Sequence, residues 1–246
     1  CFLVKRRFFG LVLHAHLPWV GGAESERSLE EEWFHQAACE AYIPLIRMLQ
    51  RVSLSKGGCP PVVLSLSPTL CAMMGDGVLQ GRLAAYIDAR LGFLKGRGLA
   101  GYPTAGSEQA VAADLRRLYE EARRTLDSCG GDLRVPIRTL SSRGLRLATT
   151  AAGHALLPLL ATDGAKRAQI RTAVRSHRAF FGESPRGFWL PECGYDPGLE
   201  TLLREEGFTW TVVSEGSSVQ AGGPFRGQGG LNLFLRDAAA SAKIWD

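Results

Sequence analysis

A carboxylate and three imidazoles are the side chains of this sequence whose types and spacing could do chemistry. Glu192 stands in the run Trp189-Leu190-Pro191-Glu192-Cys193-Gly194-Tyr195, bracketed by apolar and aromatic neighbours. A carboxylate so placed is expected to be poorly solvated, an expensive arrangement that an active-site role explains. His14 and His16 lie two residues apart, so on a strand they face the same way, and burying both as plain core residues is costly. His154 has two readings, a site residue or a helix N-terminal residue donating to backbone. Cys193 reads as a small packed neighbour rather than a nucleophile, since no histidine adjacent in sequence activates it. Trp189 reads first as strand core and second as a substrate contact. Trp33 reads as helix packing rather than as a sugar platform.

The elements that must position these residues show in the hydrophobic pattern. Four apolar runs read as buried strands, Phe8–Leu13, Val62–Leu66, Leu145–Thr149 and Gly187–Leu190, and a fifth, Phe208–Val213, is rich in β-branched and aromatic residues. Between them lie helical patterns. Leu29–Leu49 presents Leu29, Trp33, Ala37, Ala41, Leu45 and Met48 as one apolar face, with Pro44 expected to kink it. Val78–Leu94, Val111–Leu126 and Ala165–Phe181 are further helices, and Gly96–Gly106 reads as a loop. After Gly187–Leu190, Asp196 is a helix N-cap and Pro197 the first helical residue. Leu199, Leu202 and Leu203 form the apolar face, and Gly207 the stop before Phe208–Val213. This is a βαβ unit, which implies parallel strands and a right-handed crossover. In such folds function collects at the carboxyl ends of the strands. His14 and His16, Ser67 with Pro68, His154, and Glu192 all follow a predicted strand and converge on one rim. A closed barrel and an open doubly wound sheet both remain open. No phosphate-binding fingerprint follows a strand, because Gly222-Gly223-Pro224 and Gly227–Gly230 lack the spacing and the helix.

Composition removes other classes. The net charge of +5 comes from scattered arginines, without the clustered basic stripe that a nucleic-acid partner requires. No apolar run reaches the length of a membrane span, so no membrane partner is expected. Six cysteines without a CxxC pair fit a reducing, cytoplasmic setting and indicate no structural zinc site. The chain begins at Cys1 rather than Met, which reads as a fragment or trimmed sequence.

A resemblance adds to this reading. Leu13-His14-Ala15-His16-Leu17-Pro18-Trp19-Val20 resembles the opening motif of glycoside hydrolase family 57. Glu31-Glu32-Trp33 through Tyr42-Ile43-Pro44-Leu45 is similar to its first helix, and Leu66-Ser67-Pro68-Thr69-Leu70 to its second strand end. Thr149 to Leu159, with His154, resembles its second conserved region. Gly187 to Tyr195 resembles its nucleophile region, in the form carried by the family's 1,4-α-glucan branching enzymes. Arg236-Asp237, with Ser241 and Trp245, is similar to a later substrate-contacting segment.

The resemblance implies an α/β fold, an incomplete (β/α)7 barrel of the glycoside hydrolase/deacetylase type with helical insertions, the helix-rich one at about 75–140. It implies that residues 1–246 form the N-terminal part of the catalytic barrel, without the remaining strands and the C-terminal helical domain. It implies retaining chemistry on an α-glucan without metal or cofactor. Glu192 would be the nucleophile, with His14, His16, His154, Trp189 and Arg236 binding substrate. The acid/base, an Asp in the family, falls beyond the point matching Asp246, and Asp237 belongs to another motif. The segment alone is therefore expected to be inactive unless a complementing segment supplies that residue, since retaining chemistry needs two carboxyls about 5–5.5 Å apart. Arg146 stands where the family usually has Glu, and facing the site it would alter the charge around Glu192. Amylase or 4-α-glucanotransferase activity, a noncatalytic glycan-binding remnant, and a metal-dependent hydrolase using His14 and His16 with His154 or His177 stand as alternatives.

Overall fold

The structure, a computed structural model, describes residues 9–20, 28–96, 106–214, 224–227 and 229–245. In chain order its elements begin with β1 (Leu11–Ala15), α1 (Leu29–Ala37), a π-helical turn (Ala38–Tyr42), α2 (Ile43–Lys56), β2 (Val62–Leu66) and α3 (Pro68–Met74). Next come α4 (Gly77–Gly96), α5 (Gly106–Ser128), α6 (Arg134–Ser142), β3 (Arg146–Thr150), a 3-10 turn (Leu157–Leu159) and α7 (Asp163–Phe181). The rest are β4 (Gly187–Trp189), a second 3-10 turn (Pro191–Cys193), α8 (Gly198–Glu205), β5 (Trp210–Ser214), β6 (Phe225–Arg226), β7 (Asn232–Arg236) and α9 (Ala238–Trp245). The chain divides into two compact units, one of residues 1–16, 60–68 and 144–246, the other of 17–59 and 69–143.

The first unit holds the sheet, in the order β1-β2-β3-β4-β5-β7-β6. Every neighbouring pair is parallel except β6 with β7. Among the described residues β1 and β6 are the open edges, so the sheet is not closed. The expected strand at Phe8–Leu13 is displaced: β1 pairs in the register Leu11↔Val62 through Ala15↔Leu66, so the start of β2 sets its start. Phe9 is exposed instead, and Phe8 lies outside the described residues. His14 consequently sits within the strand, and His16 beyond it. β5 likewise starts two residues after Phe208, which is fully buried and meets Phe188 edge-on with ring centroids 5.0 Å apart.

β6 and β7 have no counterpart among the expected strands. β7 buries Leu233 and leaves Asn232 and Phe234 exposed, a short alternation on a half-covered strand. The core beneath the sheet is built from Leu157, Ile170, Val174, Phe188, Leu199 and Phe208 among others. The unit from β4 through α8 follows the sequence reading. Asp196 Oδ1 accepts from Gly198 N at 2.8 Å, Pro197 is helical, and Gly207 closes the helix at φ +90°. Gly187 is fixed by a close approach, since a Cβ there would lie 2.0 Å from Trp210 Cζ2.

The second unit is helical among its described residues. The expected apolar face of Leu29–Leu49 is corrected. Leu29, Trp33 and Met48 are exposed, and the buried face is Glu31, Phe34, His35, Ala38, Cys39, Ile43, Ile46 and Leu49. Pro44 explains part of this. Lacking an N–H, it cannot continue the α-helical ladder, and the π-helical turn just before it shifts the phase of the two halves. A buried carboxylate completes the face, for Glu31 Oε2 accepts from Arg82 Nη1 at 2.8 Å. The expected loop Gly96–Gly106 is bounded by the ends of α4 and α5, and its residues 97–105 lie outside the described ones. α6, not anticipated, starts where Asp132 Oδ1 accepts from Arg134 N at 2.9 Å.

Candidate active site

His14 and Ser65 are cross-strand partners on β1 and β2, and His14 Nδ1 lies 3.1 Å from the buried Ser65 Oγ. The other ring nitrogen, Nε2, lies 2.9 Å from His154 Nε2. In that N···N bond one ring donates and the other accepts, so the accepting nitrogen carries no proton. His16 stacks on His154 with centroids 4.0 Å apart and planes at 11°, and Trp189 stacks on His14 at 5.0 Å and 10°. The carboxyl ends of β1, β3 and β4 thus bring His14, His16, His154 and Trp189 into one layered cluster.

Burial, reinforced by repulsion from His154 and His16, pushes the His14 pKa down to about 3. Burial and His154 push that of His16 down to about 4. Burial also lowers His154, partly opposed by the nearby Glu192 carboxylate, which raises it. These imidazoles are therefore neutral at pH 7 and serve as hydrogen-bonding, stacking surfaces rather than as cations.

The loop carrying His154 is tied to α7. Gln169 O accepts from Ala152 N at 3.3 Å, and Gln169 Oε1 accepts from Gly153 N at 2.8 Å. His154 itself has φ +54°, and its N–H donates to Ala151 O at 2.9 Å within a turn, so the helix N-terminal reading is replaced by a left-handed turn. Two more non-glycine residues share this conformation, Glu192 and Cys193, each at φ +53°. Each left-handed non-glycine residue costs about 1–2 kcal/mol, and such strain gathers at functional sites.

The turn at Glu192 holds through Cys193 N donating to Leu190 O and Gly194 N donating to Pro191 O, both 2.9 Å. It leaves Glu192 exposed, which corrects the expectation of a poorly solvated carboxylate: the turn lifts it off the apolar run that brackets it. Cys193 is buried, a packed neighbour as expected. Gly194 has no room for a side chain, because a Cβ would lie 2.4 Å from Leu156 Cδ1 on the His154 loop.

The other candidates lie elsewhere. Arg236 ends β7 and is exposed, two strand positions from β4, roughly 10 Å at ordinary strand spacing. Asp237 caps α9, its Oδ1 accepting from Ala240 N at 2.8 Å. Arg146 is exposed at the amino end of β3, about 13 Å along the strand from Thr150, so it does not face the cluster. His177 is buried on α7 against Phe181. Among the described residues no group of three or more His, Cys, Asp or Glu is arranged to hold a metal ion. The sequence reading missed Ser65, whose signal was a lone hydroxyl inside the apolar run Val62–Leu66, and Gln169, whose signal was absent.

A sheet parallel except at β6, with its polar cluster at the strand ends, has the layout of α/β folds in which function collects at the carboxyl ends of the strands. Residues 137–244 match the family model of glycosyl hydrolase family 57. A 1,4-α-glucan branching enzyme of Thermococcus kodakarensis is 30% identical over 222 residues, covering 84% of this chain and 32% of that protein. Among solved structures, a family 57-type branching enzyme from Pyrococcus horikoshii aligns with TM-score 0.85 at 25% identity, over 96% of this chain and 48% of its own. The α-amylase AmyC from Thermotoga maritima aligns with TM-score 0.85 at 26% identity, over 96% of this chain and 47% of its own. The chain is thus similar to members of glycosyl hydrolase family 57, through its matched residues 137–244 and through these relatives, and its sheet is that of an incomplete (β/α)7 barrel. It spans about half the length of the two solved structures and about a third of the Thermococcus relative.

Proposed function

We propose that this chain carries the nucleophile half of a retaining α-glucan-active site, used for 1,4-α-glucan branching in cytoplasmic glycogen- or starch-type metabolism. The observation that carries the reading is Glu192 held in a left-handed turn at the end of β4, its carboxylate acting on the neutral His14–His154–His16 stack. In the first step a Glu192 oxygen attacks the anomeric carbon of an α-1,4-linked glucan. The C1–O4 bond breaks, and the departing oxygen takes a proton from a second carboxyl. In the second step a glucan 6-hydroxyl attacks C1, loses its proton to that carboxylate, and frees Glu192. Imidazoles and an indole offer the sugar hydrogen-bonding edges and flat faces, so His14, His16, His154 and Trp189 are assigned to substrate binding, with Arg236 further along the sheet. The resemblance assigns the acid to no residue of this sequence.

An activated donor tests the nucleophile apart from the acid. With 5-fluoro-α-glucosyl fluoride, Glu192 displaces fluoride, which leaves with the C1–F electron pair and needs no protonation. Peptide mass spectrometry is expected to find the sugar ester on Glu192 and none in Glu192→Gln. An unlabelled Glu192 would overturn the catalytic reading and leave a glycan-binding protein. Amylose incubated with these 246 residues alone and stained with iodine is expected to stay unbranched, and efficient branching would place the acid within them. The similarity to AmyC favours hydrolysis as the second reading, and release of reducing ends without new branches would select it.

A further inference from the structure

Glu200, in the first turn of α8, is 3% exposed and in no site assigned so far. Among the described residues its carboxylate has one hydrogen-bond partner on each oxygen. The Tyr195 hydroxyl donates to Oε1, and the backbone N–H of Gly229 donates to Oε2 at 3.0 Å. Tyr195 is three residues after Glu192 and packs on the same core as Phe225 of β6. Gly229 lies between β6 and β7, where Gly227 N donates to Leu231 O at 2.8 Å and Gly230 N to Gly227 O at 2.9 Å.

Gly227 and Gly229, which make no phosphate site, are there for this carboxylate. A Cβ on Gly227 would lie 2.0 Å from Glu200 Oε2, and one on Gly229 would lie 3.2 Å from Glu200 Cβ. Backbone can approach a buried carboxylate this closely only without side chains. One buried group therefore joins the turn bearing Glu192 to the strand that ends in Arg236.

We infer that Glu200 is a positioning residue for the Glu192 turn, acting through the Tyr195 hydroxyl, and that it anchors the backbone at Gly229 at the same time. The inference rests on the catalytic reading only where it concerns the reaction. The anchoring of the turn has its own readout in Cys193, the buried thiol next to Glu192. Where the tether is cut, the left-handed turn, strained by its own conformation, opens more often and exposes that thiol.

Three variants of the chain and two measurements test this. Cys193 alkylation by iodoacetamide is followed by site-resolved mass spectrometry, and Glu192 labelling by 5-fluoro-α-glucosyl fluoride under the same conditions. Tyr195→Phe removes a single oxygen and Glu200→Leu removes both acceptors. Each is expected to speed Cys193 alkylation roughly tenfold, as loss of a hydrogen bond to a carboxylate implies. Glu200→Leu is expected to slow Glu192 labelling about 100-fold through misplacement of the attacking oxygen. Glu200→Gln rescues both relative to Glu200→Leu, because its carbonyl still accepts from Gly229 and its amide donates to the Tyr195 oxygen. Wild-type protection of Cys193 in both Tyr195→Phe and Glu200→Leu overturns the inference. So does failure of Glu200→Gln to rescue, which would make the negative charge rather than the tether the functional property. Failure of the wild-type chain to label Glu192, with Cys193 responding as stated, overturns the catalytic reading and leaves the anchor standing.

Discussion

His14 and His154 meet nitrogen to nitrogen, Nε2 to Nε2 at 2.9 Å, across residues 140 apart in sequence. Such a bond exists only while the accepting ring is unprotonated, which gives it a pH signature. The folded pKa values, about 3 for His14 and about 4 for His16, lie below the ordinary histidine value of 6.5. Below pH 6.5 the unfolded chain takes up protons that the folded imidazoles refuse, so stability falls as pH falls, from 6.5 to about 4 for His16 and on to about 3 for His14. His14→Gln is expected to flatten this acid slope in melts between pH 6.5 and 4, and an unchanged slope would contradict the neutral stack.

The left-handed conformation of Glu192 sets stability against function. Glu192→Gly is expected to be about 1 kcal/mol more stable than Glu192→Ala, because glycine adopts φ +53° without strain. Both lose labelling by the glucosyl fluoride. Equal denaturation midpoints for the two would mean that the turn relaxes when the carboxylate is gone.

Arg82 is expected to matter more than its surface position implies. Its partner Glu31 is 1% exposed, and Arg82→Ala would leave a buried carboxylate with its main counter-charge removed. A loss of roughly 3 kcal/mol is expected in urea denaturation. A loss under 1 kcal/mol, the usual range for exposed pairs, would show that water replaces the guanidinium.

His177 has the opposite sign. It is 3% exposed, and Nε2 has no hydrogen-bond partner among the described residues, while burial pushes its pKa down to about 4. His177→Leu is expected to stabilise the chain by about 1 kcal/mol at pH 7, and by more at pH 5, where the unfolded histidine is charged and the buried one is not. Destabilisation would reveal a partner for that nitrogen.

The sequence was most informative where local rules decide. The Asp196-Pro197 start and Gly207 stop of α8 carry their capping chemistry in three residue types, and β2 is an apolar run, interrupted by Ser65 alone, with Pro60-Pro61 before it and Ser67-Pro68 after it. Pairing partners decided the rest. β1 begins at Leu11 because Val62 is opposite it, a relation invisible in the run Phe8–Leu13. The face of α1 is set by Glu31, Phe34 and His35, two of them polar and so outside an apolar pattern, and the π-helical turn then slips the phase into α2, where periodicity assumes a constant turn. At the site, His14, His154 and Glu192 were legible as polar residues at strand ends. The exposure of Glu192 was not, because it follows from a backbone conformation that its residue type disfavours. Glu200 was invisible for another reason: its partners are a phenol five residues back and a backbone N–H 29 residues on.

The sheet order also orders the formation of the molecule in time. Partners on β4 and β5 are 23 residues apart, those on β3 and β4 39, those on β1 and β2 51, and those on β2 and β3 83. Closing a longer loop costs more chain entropy before any contact repays it, so the short-range pairs are expected to form first. Pulsed hydrogen exchange during refolding should protect Thr211 and Val212 before Leu13 and Leu64, and simultaneous protection would argue against this sequence. The strand that leads into Glu192 would then be in place early, and His14 would join it last.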